Sequence, residues 1–286
     1  MKGIVLAGGT GSRLWPITRG VSKQLLPVYN KPLIHYPIST LMLAGIREIA
    51  LITTEPHQSA FINLLGDGGN YGLEITYLVQ NRPNGIGHAL GLCENYANGG
   101  NVALILGDNI FYGNGLGTYL GNYTNPLGAH IFAYTVRNPS KYGVVEFDSN
   151  GRAISLEEKP TAPKSRFAIP GLYFYDNSVF EICKSLKPSL RGELEITDVN
   201  IKYLQRNQLN VTVLPRGTAW LDTGSFDSLH NASTYIRSVE ELQGTKVACL
   251  EEISWRMGWI DDSKLLELSS KYVDSNSSNY LKSLLD

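Results

Sequence analysis

The sequence predicts an α/β fold: a Rossmann-like, mixed but mostly parallel sheet flanked by helices, followed by a C-terminal helical segment. Two observations predict it. Short apolar runs alternate with helical patterns over the first 140 residues, which is the order of successive βαβ units. From residue 226 onward nearly every segment has helical periodicity. Right-handed crossovers would place helices on both faces of the sheet and ligands at the carboxyl ends of its strands.

The elements are predicted in chain order from these patterns. In the first part, strands are expected at residues 2–7, 48–53, 74–79, 102–106 and 130–136, and helices at 32–44, 57–65 and 85–97. A mixed, partly antiparallel part is expected from strands at 143–148, 153–157, 167–176 and 211–215, with helices at 179–186 and 197–206. The C-terminal helices are expected at 226–242, 251–259, 263–272 and 279–285.

The charge balance argues against partners that need a basic surface. The chain has 25 basic and 26 acidic residues among 286, a formal net charge of −1. Because no excess of positive charge is present, neither nucleic acid nor an acidic membrane is an expected partner.

No apolar run approaches the ~20 residues that span a bilayer, and the first residues do not resemble a secretory signal. We expect a cytoplasmic protein.

Cysteine and histidine spacing argues against two further chemistries. Cys93, Cys183 and Cys249 lie far apart without a Cys-x-x-Cys pair, which is typical of reduced, buried thiols. The five histidines show no metal-binding spacing, and no Gly-x-Ser-x-Gly motif is present. Neither a zinc enzyme nor a serine hydrolase is expected.

The most informative motif is the glycine loop, defined as residues 6–16, Leu-Ala-Gly-Gly-Thr-Gly-Ser-Arg-Leu-Trp-Pro, at the end of the first predicted strand. Gly8, Gly9 and Gly11 lack a Cβ that would hinder backbone N–H groups from reaching an anion, and Arg13 adds a planar set of donors. The loop therefore predicts polyphosphate binding, although taken alone it is equally consistent with a tight turn. Leu14 stands where the dinucleotide-binding motif needs its third glycine.

Further motifs follow the glycine loop. They are Ser-Lys-Gln-Leu-Leu-Pro at 22–27, Leu-Gly-Asp-Asn at 106–109, Glu-Glu-Lys-Pro at 157–160, Gly-Glu-Leu-Glu-Ile-Thr-Asp at 192–198 and Trp-Leu-Asp-Thr-Gly at 220–224. Together these motifs resemble those of the sugar-phosphate nucleotidylyltransferases, and the resemblance extends over essentially the whole chain. It implies the transfer of a thymidylyl group from dTTP to glucose 1-phosphate, giving dTDP-glucose and pyrophosphate.

Several alternatives stay open. A uridylyltransferase, or a transferase for another hexose 1-phosphate, would use the same loop and lysines. A non-catalytic sugar-nucleotide sensor would keep the fold without turnover, and a dinucleotide-binding oxidoreductase is disfavoured by the missing third glycine. The base preference is open because Gly87 and His88 stand where relatives usually have Ala-Gln. The sugar preference is open because Pro170 stands where relatives usually have threonine.

The implied reaction depends on charge neutralisation more than on acid–base chemistry. The attacking sugar phosphate is already an anion, so the protein must hold two mutually repelling phosphates in line. The resemblance implies that Arg13 and Lys23 bind the triphosphate and that Lys159 binds the sugar phosphate; these are the expected catalytic residues. Asp108 and Asp222, at the ends of apolar runs, are the expected ligands of Mg²⁺.

The remaining site residues are also implied by the resemblance. Nucleotide contacts are expected from Gly8, Gly9, Gly11, Gln24, Gln80 and Gly85. Sugar-phosphate contacts are expected from Gly143, Glu158 and Lys159.

The chain is expected to divide into a catalytic domain at 1–242 and a helical oligomerisation or regulatory segment at 243–286. The catalytic domain would have a nucleotide-binding part at about 1–140 and a sugar-phosphate part at about 141–225. Large apolar side chains of the tail are expected to face another subunit: Trp255, Met257, Trp259, Leu265, Leu266, Tyr280 and Leu284. The resemblance implies a homotetramer with a second nucleotide-sugar site for feedback. The alternative is that the tail packs back onto the catalytic domain.

Overall fold

The computed structural model describes residues 1–9, 11–272 and 275–286. Thr10 of the glycine loop, Val273 and Asp274 lie outside the described residues. Within the described ranges the strands are β1 (Lys2–Leu6), β2 (Pro27–Val28), β3 (Lys31–Pro32), β4 (Glu48–Thr53), β5 (Glu74–Val79), β6 (Val102–Leu106), β7 (Asn109–Tyr112), β8 (Ala129–Thr135), β9 (Gly143–Phe147), β10 (Ala153–Glu158), β11 (Phe167–Ala168), β12 (Leu172–Tyr175), β13 (Leu209–Val213) and β14 (Ala219–Asp222).

The helices lie between these strands and in the C-terminal tail. They are α1 (His35–Leu43), α2 (Gln58–Leu65), α3 (Ile86–Gly91), α4 (Glu94–Ala97), α5 (Leu116–Gly121), α6 (Val179–Ser185), α7 (Ile196–Gln205), α8 (Phe226–Gln243), α9 (Leu250–Arg256), α10 (Asp262–Lys271) and α11 (Asn276–Ser283). Among the described residues, none of these helices combines the length and the hydropathy needed to cross a membrane.

Strand β1 lies at the centre of the parallel half of the main sheet. It pairs in parallel with β4 on one side and β6 on the other, and β5 continues the sheet beyond β4. Ile4 and Val5 of β1 are completely buried, as expected for a strand that helices cover on both faces.

The other half of the main sheet is mixed. Strand β12 runs antiparallel to both β6 and β8, and β13 runs parallel to β8. Strand β11 joins β8 to β9, which pairs with β10. Among the ten strands that the described residues place in this sheet, only β10, β11 and β12 point in the reverse direction. The predicted mixed, mostly parallel α/β sheet is confirmed.

Helices cover both faces of the main sheet, as predicted. One core layer includes Ile38 of α1, Phe61 of α2 and Ile253 of α9. The opposite layer includes Leu90 of α3, Phe180 of α6 and Val199 of α7. The carboxyl ends of the parallel strands therefore open into a cleft between two helical layers.

Two predicted elements are each divided in the structure. The strand expected at 167–176 is β11 and β12, separated at Pro170 and Gly171. Pro170 has no N–H to give to a neighbouring strand, and a Cβ on Gly171 would lie 2.5 Å from Cγ of Leu106. The helix expected at 85–97 is likewise two short helices, α3 and α4.

A small antiparallel sheet outside the main one is absent from the sequence-based expectations. It consists of β7 and β14, and its register pairs Asn109 with Asp222. Because Asp108 immediately precedes β7, this sheet brings two aspartates from distant parts of the chain to the same edge of the cleft.

The tail packs in part against the catalytic part of the chain. Leu250 of α9 and Leu265 of α10 are completely buried, and Leu281 of α11 is almost so. The expectation that Leu265 faces another subunit is therefore wrong, because intrachain packing already removes its side chain from water. Met257 and Leu266 are exposed. The division into domains at residue 242, next to the end of α8, stays a prediction.

Candidate active site

The glycine loop turns sharply where β1 ends. Gly9 and Gly11 have φ values of 102° and 58°, a backbone conformation that side chains with a Cβ rarely adopt. The Thr18 hydroxyl donates to the Gly11 carbonyl at 2.7 Å, and Leu14 is buried beneath the loop. These contacts fix the loop while the Arg13 side chain stays exposed beside it.

The Arg13 guanidinium lies against the segment that follows β14. A Cβ on Gly224 would lie 2.9 Å from Nη1 of Arg13 and 3.1 Å from Oδ2 of Asp222. A larger residue at 224 would therefore displace one of these groups. The glycine allows the cation from the loop and the carboxylate from β14 to approach the same point.

Lys23 and Asp108 form a buried ion pair on the floor of the cleft. Lys23 lies in a single 3₁₀ turn, Lys23–Leu25, and its Nζ atom is 2.5 Å from Oδ2 of Asp108. Only 8% of the Lys23 side chain is exposed. The pair connects the glycine-loop side of the cleft to the end of β6.

Asp108 is held in place by one side chain of β7 and by one from the residue that follows β14. The Asn109 amide donates to Oδ1 of Asp108 at 2.9 Å, and the Thr223 hydroxyl donates to the Asp108 carbonyl at 2.9 Å. Asn109 is itself fixed, because its Oδ1 accepts from the Trp220 indole at 2.6 Å and from the Gly171 N–H at 3.1 Å. Little freedom remains for the carboxylate.

The two aspartates have opposite pKa shifts. Burial would raise the pKa of Asp108, but Lys23, Asn109 and Arg13 together hold it below its ordinary value. Burial and the negative charge of Asp108 raise the pKa of Asp222, and the nearby Lys23 and Arg13 offset this only in part. Burial and the repulsion from Asp108 therefore disfavour the charged form of Asp222, whereas the neighbouring cation of Lys23 favours that of Asp108.

One side of the cleft continues past Asp108 toward α3. Its lining includes Gly8, Gly9, Gln24, Gln80 and Gly85, the residues expected at the nucleotide. A Cβ on Gly85 would lie 2.4 Å from the Leu194 carbonyl, so the loop before α3 needs glycine at this position.

The other side of the cleft has a volume of about 440 Å³ and extends to β9 and β10. Gly143, Glu158 and Lys159, the residues that the family resemblance implies for the sugar phosphate, line it. The Glu158 carboxylate accepts from the Thr197 hydroxyl at 2.5 Å and lies 3.3 Å from Nζ of Lys159. Lys159 has a φ of 43° and nearly half of its side chain is exposed, so the ammonium can reach into the cleft.

The structure adds side chains that the sequence-based set omits. Asn109 contacts Asp108, Thr197 contacts Glu158, and Trp220 supports Asn109. Arg191 lies 3.6 Å from Glu158 in the same cleft. Each of these residues lies in or next to a motif noted above. This position is a weak signal, because it does not distinguish a residue that supports the site from one that forms a turn. Within the described ranges, no cluster of three or more His, Cys, Asp or Glu side chains suited to a metal was found.

The chain is similar to known proteins over its whole length. Residues 2–239 match the nucleotidyl transferase family. The chain is 57% identical over all 286 residues to a glucose-1-phosphate thymidylyltransferase of Mycobacterium tuberculosis (strain H37Rv), covering 99% of that protein. It is 53% identical, with the same coverage, to one of Neisseria meningitidis serogroup A. The chain belongs to the nucleotidyl transferase family.

Solved structures of the family have the same fold. A crystal structure from Bacillus anthracis, described as a glucose-1-phosphate thymidylyltransferase in complex with a sucrose, has a TM-score of 0.77 and 42% identity, covering 83% of this chain and 95% of its own. A UDP-glucose pyrophosphorylase complexed with UDP-glucose has a TM-score of 0.74 and 25% identity, covering 83% and 98%. Membership of this family excludes the dinucleotide-binding oxidoreductase.

Proposed function

We propose that the protein transfers a thymidylyl group from dTTP to glucose 1-phosphate, producing dTDP-glucose and pyrophosphate. A sugar-phosphate oxygen forms a bond to the α-phosphorus, and the bond from that phosphorus to the oxygen of the leaving pyrophosphate breaks. The observation that carries the proposal is the arrangement of cations around Asp108: Arg13 and Lys23 lie on the glycine-loop side, and Lys159 lies on the far wall of the cleft.

The cations would act by position and charge. The amides of Gly9 and Gly11, with Arg13 and Lys23, would bind the β- and γ-phosphates of the triphosphate. Lys159 would hold the attacking phosphate, which needs no general base because it is already an anion. The charge that develops on the leaving pyrophosphate would then form beside two fixed cations.

The two aspartates fit a hard divalent cation such as Mg²⁺. Burial and the neighbouring Asp108 raise the pKa of Asp222, and a divalent ion bound by both carboxylates would offset their mutual repulsion. Asp108 and Asp222 would hold the ion. When bound, it would supply Lewis-acid stabilisation of the reacting phosphates.

Base and sugar recognition would use the two ends of the cleft. Gln80 and the N–H of Gly85, with Gln24 nearby, would contact the pyrimidine. The Glu158 carboxylate would accept hydrogen bonds from sugar hydroxyls, and the backbone of Gly143 would contact the sugar beside it.

A uridylyltransferase is the second candidate, because the UDP-glucose pyrophosphorylase structure matches the chain almost as well in fold as the thymidylyltransferase structure does. The experiment is to incubate the protein with Mg²⁺, glucose 1-phosphate and one of dTTP, UTP, dCTP or ATP, and to follow pyrophosphate release. We expect the highest kcat/KM with dTTP and a product of the mass of dTDP-glucose. A preference for UTP would replace the proposal by the second candidate, and no release with any triphosphate would indicate a sensor.

We also propose that the protein works in the cytoplasm as a homotetramer. Cys93, Cys183 and Cys249 are free thiols, as is usual in a reducing compartment. Met257 and Leu266 leave apolar surface exposed on the tail, which commonly marks an interface. Light scattering should give four times the chain mass, and Leu266→Asp should lower it. A monomeric wild-type protein would contradict the assembly.

A further inference from the structure

The Gln80 amide has a single chemically consistent orientation. Its Nε2 atom lies 3.1 Å from the Gly85 carbonyl and 3.1 Å from Nδ1 of His88. A carbonyl oxygen can only accept, so the amide nitrogen, and not the amide oxygen, must face Gly85. The second N–H then points at the histidine ring, and Nδ1 of His88 must be the acceptor. Nδ1 of His88 can accept this hydrogen bond only in the tautomer whose ring proton is on Nε2.

This arrangement decides which end of Gln80 faces the cleft. Both amide hydrogens are used by Gly85 and His88, which leaves Oε1 as the outward atom. A Cβ on Gly8 would lie 3.7 Å from that oxygen, so Oε1 points toward the glycine loop across the nucleotide side of the cleft. Among the described residues, no donor is bonded to it.

We propose that His88 is a positioning residue that makes the base pocket present a hydrogen-bond acceptor. The inference rests on the proposed function. Thymine and uracil carry an N3–H that such an acceptor can bind, whereas N3 of cytosine is itself an acceptor and would face Oε1 with its lone pair. A site that presents one fixed polar atom rejects the base that cannot pair with it.

The position of α3 does not depend on His88. The N–H of Gly87 donates to the Leu194 carbonyl at 2.8 Å, and the close approach of Gly85 to Leu194 fixes the preceding turn. The His88 side chain is half-buried, and within the described part of the chain its hydrogen-bonding partner is Gln80. A substitution at 88 should therefore change the freedom of the Gln80 amide and leave the helix in place.

Two variants of the full chain test this role. His88→Leu removes the acceptor, and the Gln80 amide can then present either its oxygen or its nitrogen. His88→Asn restores an acceptor, because the asparagine Oδ1 is attached to Cγ as the histidine Nδ1 is. The measurement is kcat/KM for dTTP and for dCTP at saturating glucose 1-phosphate, with the KM for glucose 1-phosphate as the internal control.

We expect His88→Leu to lower the dTTP to dCTP preference by about three- to tenfold, the value of one neutral hydrogen bond. The change should lie mainly in the KM for dTTP, and His88→Asn should keep most of the wild-type preference. An unchanged preference in His88→Leu, or an Asn variant that behaves like Leu, would overturn the proposal. If the wild-type protein does not use dTTP, the proposed function itself fails, which is a distinguishable result.

A measurement on the wild-type protein covers the case in which a variant folds poorly. With ¹⁵N-labelled histidine, the ring nitrogen shifts report which nitrogen carries the proton, and comparison with His88→Asn, or selective broadening, assigns the resonance among the five histidines. We expect the Nε2–H form for His88 at neutral pH. The Nδ1–H form would contradict the proposal, because Nδ1 could not then accept from Gln80.

Discussion

The Nζ atom of Lys23 lies 2.5 Å from Oδ2 of Asp108, and the second aspartate of the cleft, Asp222, has no comparably short ion pair in the described part of the chain. The two carboxylates therefore differ in what they contribute to the folded state. Asp108 compensates a buried ammonium, whereas Asp222 adds a charge that burial and Asp108 both disfavour.

Asparagine at either position should abolish most activity but have opposite effects on stability. Asp108→Asn leaves the buried Lys23 ammonium without its partner and should destabilise the fold by about 3 kcal/mol. Asp222→Asn removes a disfavoured charge and should raise Tm. Both should lower turnover by orders of magnitude, since an amide lacks the charge to hold a metal. Thermal unfolding in EDTA, with pyrophosphate release in Mg²⁺, measures both. A stabilised Asp108→Asn would contradict the assignment of charges.

The raised pKa of Asp222 also predicts a pH dependence. A carboxyl group whose pKa is raised in the folded state binds a proton more readily there than in the unfolded chain. Its unfavourable contribution to the free energy of unfolding therefore declines as pH falls through the raised pKa. The stability advantage of Asp222→Asn over wild type should be largest near pH 7 and shrink on acidification. Urea unfolding of both proteins in metal-free buffer checks this. An advantage that grows as pH falls would mean that the sign of the shift is wrong.

Lys159→Ala should weaken the use of glucose 1-phosphate selectively. The loss of one charge-assisted contact to the attacking phosphate should lower kcat/KM for glucose 1-phosphate by about 10- to 150-fold. The KM for dTTP should change little. Lys164→Ala is the matched control, because Lys164 is an exposed lysine near the same strand, paired with Glu157 at 3.1 Å. Equal losses in the two variants would indicate a general effect of surface charge.

Glu240 of α8 should contribute strongly to stability. Its buried carboxylate accepts from Asn30, Lys31, Lys246 and the Val247 N–H at 2.7–3.0 Å. Burial would raise its pKa, but these partners hold the pKa below its ordinary value. Glu240→Gln should therefore cost about 3 kcal/mol by leaving two lysines without a buried anion.

The ion pair of Arg237 with Glu241, on the same helix, provides the control for Glu240. Glu241 is exposed and pairs with exposed Arg237 at 2.8 Å, so Glu241→Gln should change the free energy of unfolding by less than about 0.5 kcal/mol. Because the pKa of Glu240 is lowered, its stabilising effect should also be lost as pH falls through that pKa. Chemical unfolding at two pH values measures both effects. Similar losses of unfolding free energy in Glu240→Gln and Glu241→Gln would contradict the prediction.

Local sequence patterns predict the four strands of the parallel half of the fold, although not the division of the helix expected at 85–97. The apolar run of β1 and the glycines after it predict both a buried strand and a sharp turn, because each depends on residues adjacent in sequence. The strand pattern does not indicate the break at Pro170 and Gly171, because the apolar residues on both sides continue that pattern. The tight fit of Gly171 against Leu106 is a tertiary contact that no local pattern reports.

The candidate site shows the same limit. Asp108 and Asp222 each end an apolar run, which is a local feature, but their approach depends on the pairing of β7 with β14. The contact of Asn109 with Trp220 joins segments 111 positions apart. Sequence spacing contains no information on such a contact, so the supporting residues appear only in the folded chain.

The pairing of β7 with β14 has a consequence for synthesis of the protein. Proteins made on the ribosome fold from the N-terminal end, and the parallel half of the sheet needs only residues up to β6. Asp108 acquires its contact with Thr223, and Asn109 its contact with Trp220, only after β14 has emerged. A nascent or prematurely terminated chain that ends before β14 would therefore contain the glycine loop and the Lys23 to Asp108 pair without the opposing carboxylate. The cleft is therefore completed late in translation.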